Sequence, residues 1–350
     1  MTTPAPLPDA LPSRATIHDV AQAAGVSVST VSKVINGRYG VAASTAAQVL
    51  RVVEELGYES SLIASSLRRG RTHVIGVLVA EFEPFALALL EGISDALQGT
   101  GYDLLSYAGS LSRGDGAAVQ GWERRSLSRL GGTLIDGAII VTPTVEAPSA
   151  TVPVVAIDPH TGPTGPTTVD SDNLGGAIAA TRHLIDLGHT RIAHVRGRRD
   201  LESARLREEG YRTALEAAGL PFDPALVADG GYRPDESSAA AEHLLSLADP
   251  PTAIFAANDL SAIRVIEIAR QRGLAVPGQL SVVGFDDIPA AASHEPPLTT
   301  IRQPLREMGA AALRILLDLL DGAADASRDE DAHVRMPARL VARASTAPPS

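Results

Sequence analysis

A chain of 350 residues with 45% hydrophobic and 20% charged side chains is globular, with room for about two or three domains, and is neither disordered nor low-complexity. With no cysteine it has no disulfide, no thiolate nucleophile and no cysteine-ligated zinc or iron–sulfur site. The net charge of −11 argues against nucleic acid until its distribution is considered: residues 1–72 carry +2, which leaves −13 on residues 73–350.

The first residues, MTTPAPLPDALPSRA, show no basic segment followed by an apolar one, and so read as a Pro-rich tail over 1–14 rather than a signal peptide. No run approaches the roughly 18 apolar residues of a membrane span, so the expectation is a cytoplasmic protein. Three short helices follow. Ile17–Ala24 has Thr16 as N-cap, with Asp19 completing a capping box. A second runs from a Ser27 cap to about Ile35, after a break at Gly25. A third spans Ser44–Leu56, with Val49, Val52, Val53 and Leu56 as its buried stripe.

From His73 the rhythm changes. HVIGVLVA (73–80), GAIIVT (137–142), VPVVAID (152–158), RIAHV (191–195), TAIFAAN (252–258) and LSVVGF (280–285) are near-continuous apolar runs, as parallel strands covered on both faces require. Helical stretches alternate with them, including Leu87–Leu97, Gly175–Leu187, Ala204–Ala218, Glu236–Leu247, Leu260–Gln271 and Leu305–Leu320. The predicted fold is a small all-α head joined to an α/β body of two doubly wound parallel-sheet lobes, with a ligand cleft at the carboxyl ends of the strands.

The head segment TIHDVAQAAGVSVSTVSKVING (16–37) reads as a helix-turn-helix. Ala21 is small where two steeply crossed helices approach, and Gly25 tolerates the positive φ of the turn. Val20, Ala24, Val26, Val31 and Val34 fall on the buried side. Ser27, Val28, Ser29, Thr30, Ser32, Lys33 and Asn36 fall on the outer face, where short hydroxyl and amide groups suit phosphates and the start of the second helix meets base edges. A plain helical hairpin with a polar face is the competing reading, and the agreement of so many positions counts against it.

With these residues in view, the head resembles the lactose-repressor (LacI) family of bacterial transcription regulators. The pattern T-[IL]-x-D-V-A-x-x-A-G-V-S-x-x-T-V-S-x-x-[IVL]-N is met at every fixed position from Thr16 to Asn36, and the likeness runs on through ELGYESSLIASSLRRGRTHVIGVL (55–78) to about Ala344. The chain departs from the family in having Glu59, Ser60 and Ser61 after Gly57-Tyr58, Ala42 at the start of the third helix and Ala46 after Thr45. Each change removes a phosphate contact or a cap.

The resemblance implies a double-stranded DNA operator of pseudo-palindromic form bound by a homodimer, with Val28, Ser29 and Lys33 facing bases and Thr16, Ser27, Thr30, Ser32, Asn36 and Thr45 on the DNA-facing side. It further implies a hinge over 60–71 in which Leu67, beside Ala64, wedges into the minor groove while Arg68, Arg69 and Arg71 neutralise phosphates; an ordinary solvated linker is the alternative. The expected boundaries are 15–59 for the DNA-binding domain, 72–345 for the bilobed, periplasmic-binding-protein-like sensor that also carries dimerisation, and 346–350 for a tail.

In the body, Asp158, Asn258, Asp259, Asp286 and Asp287 follow predicted strands, and Arg207 lies near the start of a helix. Carboxylates, an amide and a guanidinium suit the vicinal hydroxyls of a sugar, and Phe82, Phe85, Tyr232 and Phe285 are placed where rings stack on sugar C–H faces. By resemblance, Asp158, Arg207, Asn258 and Asp286 contact the effector and Phe85, Tyr232 and Gln303 line the cleft. Each acid alone reads equally well as a helix N-cap, and Asp259 and Asp287 are the expected caps. The expected effector is a sugar that releases the DNA, with a purine-type corepressor, or a solute-binding protein without DNA function, as alternatives. No phosphate loop, dinucleotide fingerprint, nucleophile elbow or H-E-x-x-H is present, so neither enzyme activity, cofactor nor metal is expected. Asp158-Pro159-His160 reads as a loop rather than a catalytic dyad.

Overall fold

The computed structural model describes residues 15–35, 40–56, 71–109, 121–144, 152–162, 167–322 and 333–350. The chain divides into two compact units, Met1–Thr72 and His73–Ser350.

In the first unit, α1 (Ile17–Ala23), α2 (Val28–Ile35) and α3 (Ala43–Glu55) pack around the fully buried Val20, Val31 and Val49. Reciprocal bonds start α1: the Thr16 amide donates to the Asp19 carboxylate at 2.7 Å, and the Asp19 amide donates to Thr16 Oγ1 at 3.4 Å. Gly25 turns the chain at φ +64°, in the left-handed region that a Cβ disfavours. The Thr30 amide donates to Ser27 Oγ at 3.1 Å and so caps α2. Gln48 Nε2 donates to the Ala24 carbonyl at 3.1 Å, which ties α3 to the turn. Helix α3 begins behind Ala42, which has no side-chain cap to offer.

The second unit holds two six-stranded sheets. The first has the order β11-β5-β4-β3-β1-β2, built from β1 (Val74–Val79), β2 (Asp103–Ala108), β3 (Gly137–Val141), β4 (Val154–Ile157), β5 (Thr168–Ser171) and β11 (His333–Met336). The other has the order β12-β10-β9-β8-β6-β7, built from β6 (Ile192–Arg196), β7 (Val227–Asp229), β8 (Ala253–Ala256), β9 (Ser281–Asp286), β10 (Thr299–Arg302) and β12 (Arg339–Val341). The apolar runs read from the sequence are the three central strands of each sheet. The outer strands, such as TVDS, TTIR and HVRM, are short and polar and carry no such signal. All pairings are parallel except that of β10 with β12, a departure from the wholly parallel expectation.

Helices α4 (Pro84–Leu97), α5 (Trp122–Leu130) and α11 (Leu305–Leu320) cover the first sheet. The second is covered by α6 (Asn173–Asp186), α7 (Glu202–Ala217), α8 (Pro234–Leu245) and α9 (Asp259–Gln271), with the short α10 (Pro289–Ser293) beside them. The chain crosses between lobes at Ser171–Asn173, at Arg302–Leu305 and at Met336–Arg339. Residues 346–350, expected as a tail, are anchored at their start: Ala347 O accepts from Ser281 Oγ at 2.9 Å, and His189 Nε2 lies 2.9 Å from the same oxygen. Among the described residues no helix is long and apolar enough to cross a membrane.

Helices α4 and α11 meet backbone to backbone. A Cβ on Gly92 would lie 2.0 Å from the Arg306 carbonyl oxygen, and one on Gly309 2.3 Å from that of Leu89. Gly92→Ala gains about 1 kcal/mol of helix propensity but forces the helices apart, an overpacking cost of about 3 kcal/mol. The expected net loss of about 2 kcal/mol is read from urea unfolding; a variant as stable as the parent would refute the close crossing.

Candidate functional site

Helix α2 opens with a knot of hydroxyls. Ser27 Oγ lies 2.8 Å from Ser29 Oγ and 2.8 Å from Thr30 Oγ1, at the end of the helix where the macrodipole is positive. Thr16, Ser27, Ser29 and Lys33 are exposed; Val28, Thr30, Ser32 and Thr45 are half-buried. Val28 packs partly on the head core, so only one edge of it is available to a base. The Thr16 hydroxyl donates to Asp19 at 2.7 Å as well as serving the cap. Asn36, Ala64, Leu67, Arg68 and Arg69 lie outside the described residues.

In the body, the carboxyl ends of β4, β8 and β9 bring Asp158, Asn258 and Asp286 toward Arg207 of α7. Arg207 is only 3% exposed, so its charge must be satisfied by protein. Its Nε donates to Asn173 Oδ1 at 2.9 Å, its Nη1 donates to the Ala257 carbonyl, and Nη1 lies 3.7 Å from Asp286 Oδ1. The guanidinium carbon sits 3.7 Å from the Phe285 ring centroid and 5.7 Å from that of Tyr232. Gln303 Nε2 donates to Asp286 Oδ1 at 2.6 Å, and Ser171 Oγ donates to Gln303 Oε1.

Several expectations are corrected here. Phe285 has no exposed surface and belongs to the second lobe's core beneath Arg207, so it offers no face to a ligand. Asp259 and Asp287 cap nothing. Asn258 caps α9, its Oδ1 accepting from the Ser261 amide at 2.9 Å. Asp259 accepts from the Ile288 amide at 2.9 Å and from Thr300 Oγ1, while Asp287 joins Arg302 and, at 2.6 Å, Arg343. Phe85 is half-buried against the first lobe's core, and Phe82 is exposed. His160 Nδ1 lies 3.6 Å from Asp200, and burial pushes the ring down to about 4, so it stands neutral. The sequence reading missed Ser171, Asn173 and Ser203, the last placed against the Asp158 carboxyl and the Tyr232 hydroxyl; polar side chains at a strand end or a helix start carry no pattern of their own.

Asp158, Tyr232 and Asp286 hold positive φ of +48°, +62° and +117°, costly for residues with a Cβ and concentrated where the strands end. A Cβ on Gly197 would lie 2.2 Å from the Tyr232 ring, so that glycine makes room for it. Burial pushes the Asp286 carboxyl up to about 7, with Arg207 and Gln303 opposing and Glu83 and Asp158 adding to the rise. Asp158 is raised too, chiefly by burial, against the pull of Arg207. Among the described residues no cluster of His, Asp or Glu has the arrangement of a metal site.

An acid protonated up to about pH 7 in the fold but ionising near ~4 when unfolded lets the native state hold the extra proton between those values. Its contribution to stability therefore falls as pH rises through that window. Asp286→Asn removes that loss, so its melting temperature relative to the parent is expected to be higher at pH 8 than at pH 5. An equal difference at both pH values would contradict the assignment.

Residues 16–61 match the family "Bacterial regulatory proteins, lacI family", and residues 181–346 match the "Periplasmic binding protein-like domain". The HTH-type transcriptional repressor PurR of Aliivibrio salmonicida is 35% identical, over 87% of this chain and 92% of that protein. The ribose operon repressor of Escherichia coli is 37% identical, over 87% and 92%. Among solved structures, the lac repressor dimer bound to operator and the anti-inducer ONPF superposes with a TM-score of 0.79 at 28% identity, covering 96% of this chain and all of that one. The transcriptional regulator CelR–cellobiose complex does so with a TM-score of 0.68 at 32% identity, covering 95% of this chain and all of that one.

Proposed function

The chain belongs to the LacI family of bacterial regulatory proteins, and on that footing we propose that this DNA-binding transcription regulator is a repressor released from its operator by a small sugar. The carrying observation is the buried Arg207–Asp286 pair, with Asp158, Asn258, Gln303 and Tyr232 drawn around it. Fixed donors and acceptors at that density suit a ring of vicinal hydroxyls. The names of two relatives in this family, a ribose operon repressor and a regulator in complex with cellobiose, support the sugar class. Phe285 lies in the core and is not open to stack on a base, so it gives no advantage to a purine-type corepressor over a sugar.

On this reading Val28, Ser29 and Lys33 face bases, Ser27, Thr30, Ser32, Asn36 and Thr45 face phosphates, and Leu67 beside Ala64 is the minor-groove wedge of the 60–71 hinge. One head reads only a few base pairs, so a homodimer on a pseudo-palindrome supplies the specificity. Catalysis, cofactor and metal play no part, and the protein works in the cytoplasm with the chromosome. Effector and operator binding are coupled by about 1–3 kcal/mol, or ~5–150-fold in operator affinity.

Two variants separate these roles. Lys33→Ala is expected to weaken binding to the selected operator more than to random duplex; equal losses would make Lys33 a backbone contact only. Arg207→Ala is expected to keep operator binding and lose effector-driven release. Normal release from that variant in a DNA-retention assay would place the effector elsewhere.

A further inference from the structure

Five buried residues close a ring that passes through both the hydroxyl and the backbone carbonyl of Ser171. Gln303 Nε2 donates to Asp286 Oδ1 at 2.6 Å, and Ser171 Oγ donates to Gln303 Oε1. Asn173 Nδ2 donates to the Ser171 carbonyl at 3.2 Å, and Arg207 Nε donates to Asn173 Oδ1 at 2.9 Å. Arg207 Nη1, 3.7 Å from Asp286 Oδ1, closes the circuit. No member is more than 7% exposed. Two members, Arg207 and Asp286, form the charged pair of the proposed cleft. The others stand on the strands that join the lobes: Ser171 and Asn173 on the first crossover, Gln303 on the second. The third crossover is attached as well, since the Asp172 amide donates to the Met336 carbonyl at 2.8 Å.

The hydrogen bonds fix the sense of both amides. Gln303 turns its NH2 end to Asp286 Oδ1, which leaves only the carbonyl end for the Ser171 hydroxyl. The Arg207 guanidinium, which has no acceptor, requires the carbonyl end of Asn173, which turns its NH2 toward the Ser171 backbone. A change in the charge or hydrogen bonding of the Arg207–Asp286 pair therefore arrives from two sides at one residue, Ser171, where the chain passes from one lobe to the other. Bonds linked in series inside a protein polarise one another, so a ligand hydroxyl engaging the pair acts on Ser171 along two routes, through Gln303 at its hydroxyl and through Asn173 at its backbone carbonyl.

We propose that Ser171, joined by Asn173, is the positioning residue through which occupancy of the Arg207–Asp286 pair is felt at the lobe crossovers, without itself touching the effector. The proposal rests on the effector reading above, and its test is arranged to fail separately from that reading.

The test compares full-length parent, Ser171→Ala and Ser171→Thr. Hydrogen exchange of the unliganded proteins comes first. Ser171→Ala is expected to speed exchange at least fivefold in peptides spanning Gln303 and Arg207, leaving peptides of β1 and α4 unchanged. Ser171→Thr, which keeps the hydroxyl, is expected to restore parent rates. A change confined to the neighbourhood of residue 171, or spread evenly over the whole body, would overturn the proposal. In the second arm, D-ribose is the probe and the DNA is a duplex selected from random sequence by the parent. Ser171→Ala is expected to bind D-ribose within threefold of the parent while the ratio of operator affinities without and with D-ribose shrinks at least fivefold. Sugar affinity and release falling together would indicate a merely structural role and count against the proposal. Should D-ribose fail to release the parent from DNA, that result bears on the choice of sugar, and the exchange comparison still decides this inference.

Discussion

A guanidinium that is 3% exposed has to be satisfied on every side, and much of the second lobe is arranged to satisfy Arg207. Phe285 lies beneath it, the Ala257 carbonyl ends the neighbouring strand's path toward it, Asn173 reaches it from the first crossover, and Asp286 supplies the counter-charge. These partners come from three separate segments of the chain, since Phe285 and Asp286 are neighbours on β9, so the position of each segment is constrained by the same group. The cost falls on Asp286, whose carboxyl is pushed up to about 7 by the burial that Arg207 only partly offsets.

The backbone around Arg207 is unusual. Left-handed residues with a Cβ appear at Asp158, Tyr232 and Asp286, where strands or turns end facing the cleft. A fold tolerates such strain where the surrounding structure over-determines it, and it is concentrated here beside groups suited to a ligand. The glycines do complementary work: Gly197 clears space for Tyr232, and Gly92 with Gly309 lets α4 and α11 touch through their backbones. Those helices follow directly from the loop bearing Glu83 and from the crossover bearing Gln303, so both begin at the cleft edge.

What the sequence revealed follows from which physical signals are local. Capping boxes, a turn glycine and valines at helical spacing lie within a few residues of one another, so the head was legible almost to its helix ends; α3 begins one residue earlier than expected, behind an Ala42 that cannot cap it. Strands buried on both faces declare themselves by continuous apolar runs, which is why the central strands were found; β2 is only partly covered and β5, though buried, is four residues with mostly polar side chains, so neither carries that signal. Arg207 was singled out by its place near a helix start and by the family resemblance; its burial has no local signal. Phe285 was misjudged because a ring followed by an acid reads the same whether it faces a ligand or lies under a guanidinium. Asp259 and Asp287 were misjudged because their partners, Thr300, Ile288, Arg302 and Arg343, come from other segments of the chain. The ring through Ser171 and Asn173 depends on contacts between residues up to 132 positions apart, and no short-range pattern encodes it.

The central claim is that the cleft around Arg207 and the head are two sites of one equilibrium. Linkage makes coupling reciprocal, so the factor by which an effector weakens operator binding must equal the factor by which operator DNA weakens effector binding. The most direct measurement is calorimetric titration of the effector into the full-length protein, free and saturated with operator duplex. Effector affinity is predicted to fall on DNA by the same ~5–150-fold factor that the effector imposes on operator affinity. An effector affinity unchanged by operator DNA would contradict the claim.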